Sequence, residues 1–218
     1  IALLLVPGRG QAESFTFNPE RTVYVIGEIG YGALRTAEYI ERLSAKSDDT
    51  IDILVNSPGG SVLFGNFIIQ AIEQAKKRGV VVNCVTTALA ASMAFQILAH
   101  CDHRYAFRTT QLLFHPPRIY SRAPLLKEDL QRYANSLAQI EDKMVPKIRE
   151  MMDLPEDEFK SNYYLETLWD AEDLLSKSGN KWLTLLDDVK GVNFQYVIEV
   201  GIGVRSGLYW ISPMGKSK

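Results

Sequence analysis

The regular alternation of short, almost unbroken apolar runs with longer segments of helical period constrains this chain more than any other feature. The run at 21–29, "RTVYVIGEI", is β-branched and aromatic and reads as a strand. The segment after it, "GALRTAEYIERLSA", spaces Leu34, Tyr39, Ile40 and Leu43 at helical intervals. "TIDILVNSPGG" is a second strand that stops at a Pro-Gly-Gly break. "GNFIIQAIEQAKKRG" is a helix with Phe67, Ile68, Ala71 and Ile72 on one side and Lys76, Lys77 and Arg78 at its end, where cations suit the helix dipole. The pattern repeats as strand "VVVNCVTTAL", helix "ASMAFQILAHC" and strand "TTQLLFH". Short connections between alternating strands and helices imply parallel strands with right-handed crossovers, and fully apolar strands imply a sheet covered on both faces. The expected class is therefore α/β, with a mostly parallel sheet.

Beyond residue 124 the texture changes. "PLLKEDLQRYANSLAQIEDKMVPKIREMM" carries Leu126, Leu130, Tyr133, Leu137, Ile140 and Met144 on one stripe, so the spacing predicts a long amphipathic helix over about 124–152 that Pro146 should bend or restart. Periodicity leaves open whether it projects or lies along its own sheet. A short helix is expected in "WDAEDLLSKSG", closed by Gly179. Residues 1–20 read as an apolar arm or the remnant of a secretory signal, 21–180 as a single domain, and 181–218 as an extension of one or two strands and a polar tail.

Composition narrows the partners. A formal net charge of −2 in 218 residues argues against a nucleic-acid partner, and 46% hydrophobic with 23% charged residues is ordinary for a globular chain. Cys84 and Cys101, both in apolar settings, read as two reduced core thiols. His100 and His103 flank Cys101, yet no second cluster completes a four-ligand metal site. No cofactor is expected.

Three short stretches carry chemistry. Ser92 sits where a strand hands over to a helix, beside the unpaired N–H groups of the first turn; there it is either a helix cap or a nucleophile with the Met93 N–H next to it. "NSPGGSV" sets Gly59 and Gly60 at another strand end, where a backbone without Cβ atoms is able to approach a ligand. "LLFHPP" ends an apolar strand on His115 and holds the chain extended with Pro116 and Pro117. In an open parallel sheet these strand ends share one edge, where ligands bind, and there an imidazole serves as general base for a hydroxyl.

"ILVNSPGGSV", "AASMAFQILA" and "LFHPP", in this order and at these intervals, resemble the proteolytic subunit of the Clp ATP-dependent protease, within the ClpP/crotonase superfamily; the likeness covers about 20–180. It implies that superfamily's fold of repeated β-β-α units with a protruding helical handle at about 124–152. It implies Ser92 as nucleophile, His115 as base, and the Gly60 and Met93 N–H groups as oxyanion hole. It also implies stacked heptameric rings of a homo-oligomer that enclose a chamber, a substrate of peptide or unfolded protein, and a separate AAA+ ATPase unfoldase as partner. A cytoplasmic location follows from the resemblance, with export the alternative if the apolar run at 1–6 is a signal remnant. Setting "DAEDL" against the family pattern brings Glu166 to the place of the third triad residue; a one-residue shift would bring Thr167, and Asp170 lies within reach. Other departures are "RIYSRAPLLKEDL" where a glycine-rich, substrate-pairing strand usually follows the histidine, and Ala88 where a glycine is common. A ring subunit without activity is the competing reading. A serine–lysine enzyme ranks lower because Lys76 and Lys77 end a helix on the far side of the sheet, and an acyl-CoA enzyme would have no use for Ser92 followed by His115.

Overall fold

A computed structural model describes residues 18–121, 123–178 and 181–189. The chain alternates β1 (Thr22–Ile26), α1 (Gly32–Lys46), β2 (Ile51–Ser57), α2 (Val62–Lys77), β3 (Val82–Ala91) and α3 (Met93–His100) before two further strands, β4 (His103–Ala106) and β5 (Gln111–Leu113). Then follow α4 (Lys127–Met152), α5 (Glu156–Leu165), β6 (Trp169–Asp170), α6 (Ala171–Lys177) and β7 (Thr184–Leu185). The described strands form one sheet in the order β1-β2-β3-β4-β7, with β5 joined to β3 and β6 to β5. Every pairing is parallel except β5 with β6. The mixed α/β class with a mostly parallel sheet, expected from the alternation, is the observed one.

The core follows from the strands' composition. Val23, Ile53, Val55, Val82 and Cys84 face the layer of α1, α2 and α3, where Ile40, Ile68, Ile72, Phe95 and Leu98 meet them; all are buried. Leu54, Val85 and Tyr105 alternate to the opposite face, against Leu186 and Val189. A parallel sheet covered on both faces removes most apolar side chains of β2 and β3 from water, which explains why those segments read as unbroken runs.

β3 is the hinge of the architecture. Between the pairs Val55↔Thr86 and Ser57↔Ala90, β2 advances two residues and β3 four. This bulge divides β3 in two. Asn83 to Thr86 pair with β4, whereas Leu89 to Ala91 pair with β5. The Asn56 side chain holds the extra residues: its Oδ1 accepts the N–H groups of Thr87 at 3.1 Å and Ala88 at 2.9 Å, and its Nδ2 donates to Thr87 Oγ1 at 2.6 Å.

One expectation needs correction and three features go beyond the sequence reading. β4 is an additional strand; at four residues with an exposed His103 it is too short to show a period. Residues 156–165, to which the sequence reading assigned no element, form α5, whose Phe159 and Tyr163 are buried one turn apart. Helix α4 runs unbroken for 26 residues through Pro146, so the proline does not restart it. Cys84 and Cys101 are joined as a disulfide across 17 positions, because the crossover from β3 through α3 returns the helix C-cap to the strand it left. Within α4 only Ile148, Met151 and Met152 are buried, while Leu126 and Leu130 are 68% and 55% exposed. The helix is therefore most deeply packed at its C-terminal end, while its N-terminal turns are largely exposed. The expected arm at 1–17, Gly179 and the extension from 190 onward lie outside the described residues.

Candidate active site

The strand ends meet at Ser92. The residue takes φ 55° and ψ −121°, a conformation that L-residues adopt only when the surroundings enforce it. Its side chain makes no capping hydrogen bond to α3, so the hydroxyl is not spent as a helix cap. Instead the sharp turn leaves Ser92 half-buried between β3 and the buried Met93, with its N–H donated to Leu113 O at 2.8 Å and its carbonyl accepting the Gln96 N–H at 3.2 Å. Strained turns between a strand and a helix present a hydroxyl at the edge of a sheet in this manner.

The glycine loop is pressed against that turn. Gly59 has φ +94°, and a Cβ placed on it would lie 2.6 Å from Ser92 Cβ, 2.7 Å from Ala91 O and 3.0 Å from Met93 N. Gly60 has φ +146°, and its Cβ would meet Ile29 O at 2.4 Å. The loop is held by a short bridge to Ile29, whose N–H goes to Gly59 O at 2.8 Å and whose carbonyl accepts Ser61 N–H at 2.9 Å. From inside, Ser57 Oγ accepts the Gly59 N–H at 3.0 Å. No hydrogen bond among the described residues uses the N–H of Gly60 or of Met93. Met93 is the first residue of α3, so its N–H also sits at the positive end of the helix dipole.

His115 enters from the adjoining strand. The pairing Ala91↔Leu113 places it two residues beyond the position whose carbonyl receives the Ser92 N–H. Phe114 fixes the approach: it is 2% exposed and its ring lies 5.3 Å from Phe95, 5.2 Å from Phe159 and 6.3 Å from Tyr163 between centroids. The His115 ring bonds through Nδ1 to Pro116 O at 2.6 Å. A carbonyl oxygen only accepts, so Nδ1 carries the proton and Nε2 is left as the basic nitrogen.

The three candidates for the third position part company here. Asp170 accepts a hydrogen bond from the Gln111 amide on β5. Continuing the antiparallel register Gln111↔Asp170, Leu112↔Trp169 three steps along would set Glu166 opposite His115 and Thr167 opposite Phe114. Glu166 also caps α5 in the left-handed region, at φ 54° and ψ 47°. Its carboxylate is paired with the Arg118 guanidinium and not with His115. The Arg118 hydrogen bond holds the Glu166 carboxyl below the usual carboxylate range against an opposing effect of burial, and a positive charge on His115 acts in the same direction as Arg118. Sequence reasoning missed both Asn56, which shapes the bulge, and the Arg118 pair. A polar residue ending an apolar strand was the available signal for Asn56.

The histidines and cysteines of "HCDH" do not converge. His100 bonds Glu73 at 2.8 Å, Cys101 is in the disulfide, and no group among the described residues is arranged to hold a metal. No helix of the described residues is long and apolar enough to cross a membrane.

In this mixed α/β protein Ser92, His115 and the Gly60 and Met93 N–H groups lie just beyond the ends of β2, β3 and β5, and no hydrogen bond among the described residues joins Ser92 to His115. The profile of the family described as Clp protease matches residues 16–177, and the chain belongs to that family. It is similar to ATP-dependent Clp protease proteolytic subunit 2 of Pseudomonas aeruginosa, at 25% identity over 57% of this chain and 61% of that protein. It is also similar to the ATP-dependent Clp protease proteolytic subunit of Paracoccus denitrificans, at 30% identity over 40% of this chain and 43% of that protein. The matched stretches thus span less than two thirds of either relative.

Proposed function

We propose that this chain is a serine-type endopeptidase subunit that hydrolyses unfolded polypeptide through an acyl-enzyme. Ser92 Oγ attacks the peptide carbonyl carbon and gives its proton to His115 Nε2. The oxygen that becomes charged lies against the N–H groups of Gly60 and Met93. The C–N bond then breaks, the amine leaves with the proton held by His115, and a water activated by the same nitrogen returns the acid and free Ser92. Glu166, whose carboxylate is paired with Arg118 in the structure, is the candidate for the negative charge that stabilises protonated His115. The observation that carries this reading is the conformation of Ser92, strained and uncapped, next to the unused Met93 N–H and pressed by the Gly59–Gly60 loop.

Family membership supports a reading of the partners. The apolar stripe of α4, exposed at Leu126 and Leu130, is suited to a second copy of the chain, which supports a homo-oligomer of stacked rings. A AAA+ ATPase feeding the enclosed chamber completes the reading, and a cytoplasmic location goes with it.

One observation favours a second reading, a ring subunit with a role in assembly alone: the carboxylate opposite His115 is engaged by Arg118. Fluorophosphonate labelling separates the two. Wild-type protein is expected to label at Ser92 and to cleave an unstructured peptide, and Ser92→Ala to lose both, by roughly 10⁵-fold or more in kcat as for other serine nucleophiles. Absence of labelling in folded wild-type protein would favour the assembly role.

A further inference from the structure

Arg118 stands where it competes with His115 for one carboxylate. It lies three residues beyond His115, in the extended segment that leaves β5, and pairs with Glu166 Oε1; it also meets the Tyr120 phenol. Extending the two-pair register of β5 and β6 would set Glu166 opposite His115, and Glu166 itself is the left-handed cap at the end of α5. With the carboxylate turned to Arg118, the imidazole makes do with the Pro116 carbonyl. That carbonyl sets the tautomer as a carboxylate would, but it lacks the full negative charge that stabilises an imidazolium during attack. A glutamate has one more side-chain torsion than an aspartate, which widens the positions its carboxylate is able to take.

We propose that Arg118 is a positioning residue that acts as a brake: it holds Glu166 off His115, and breaking the Arg118–Glu166 pair lets the carboxylate engage the imidazole and speeds acylation. This deepens the peptidase reading and rests on it. The pair is built to be broken. Both side chains are half-exposed, at 48% and 36%, and ion pairs in such a setting are weak and screened by salt. The brake therefore holds back a fraction of the molecules at any moment and does not abolish activity.

The test is Arg118→Gln in the full-length chain, followed by peptide hydrolysis and fluorophosphonate labelling. An exposed pair biases an equilibrium by no more than about fivefold, so kcat is expected to rise roughly two- to fivefold with KM little changed. The acid limb of the kcat/KM profile is expected to move to higher pH, because a carboxylate beside an imidazole favours its protonated form. Arg118→Lys, which keeps the charge but not the guanidinium fork, is expected to fall between wild type and Arg118→Gln and serves if the glutamine variant folds poorly. In the double variant Arg118→Gln/Glu166→Gln both the gain and the shift should vanish. Labelling of wild type with no gain in either Arg118 variant overturns the brake and leaves the peptidase reading standing; so does a gain that persists in the double variant. If neither wild type nor the variants label, the peptidase reading falls and the brake with it.

Discussion

Replacing Gly59 by alanine tests the close approach on which the whole site depends. The new methyl would lie 2.6 Å from Ser92 Cβ and 2.7 Å from Ala91 O, where carbon atoms prefer about 3.5–4.0 Å. Neither side yields easily. The loop is pinned by Ile29 and by Ser57 Oγ, and the turn by the Ser92 N–H to Leu113 bond. Gly79 provides the internal control: its φ is +86°, close to the +94° of Gly59, yet nothing lies within 4 Å of where its Cβ would be. At both positions alanine pays a left-handed strain of about 1–2 kcal/mol, offset by about 0.4–1 kcal/mol from the stiffer unfolded chain. Overpacking adds about 1–3 kcal/mol at Gly59 alone. For a chain of this size the difference between the two variants corresponds to roughly 2–12 °C in melting temperature. Calorimetry of the two variants side by side reads it. Fluorophosphonate labelling well below the melting temperature should fall roughly 10–100-fold in Gly59→Ala, because an ångström of displacement at a nucleophile costs about that much, and should be unchanged in Gly79→Ala. Equal melting temperatures and equal labelling rates in the two variants would refute the packing of the glycine loop on Ser92.

Two further outcomes follow from side chains away from the site. Burial lowers the pKa of His100, outweighing the pull of Glu73, so the folded protein binds the proton less well than the unfolded chain and loses stability as pH falls through the ordinary histidine range and below. His100→Gln should therefore flatten the drop in melting temperature between about pH 7.5 and about pH 5.5; an unaltered slope would show that the imidazole is not the group responsible. The Cys84–Cys101 bond predicts that protein purified without reductant shows no reactive thiol on denaturation and that both appear after reduction; two thiols titrating without reductant would contradict it. Since such bonds persist in oxidising compartments, the same titration bears on the choice between a cytoplasmic and an exported protein.

Much of this molecule is legible in one dimension because its information is local. The apolar runs of β2 and β3 announce a sheet covered on both faces, and the heptad-like stripe from Leu126 to Met144 announces α4. "NSPGGSV", "AASMAFQIL" and "LFHPP" suffice to single out Gly60, Ser92, Met93 and His115, since each sits at the boundary of an element that the sequence pattern already delimits. What the sequence leaves undecided depends on pairs far apart along the chain. Whether Ser92 caps α3 is settled by the pressure of Gly59 and by Leu113, and no residue next to Ser92 encodes either. The strand at 103–106 exists because β3 lies beside it, not because four residues prefer to be extended. Asn56 bonds residues 31 and 32 positions ahead, Cys84 meets Cys101 through a crossover, and Glu166 turns to Arg118 across 48 positions of chain. Periodicity reports which face of an element is buried; only the folded sheet decides which polar groups are brought within a hydrogen bond of one another.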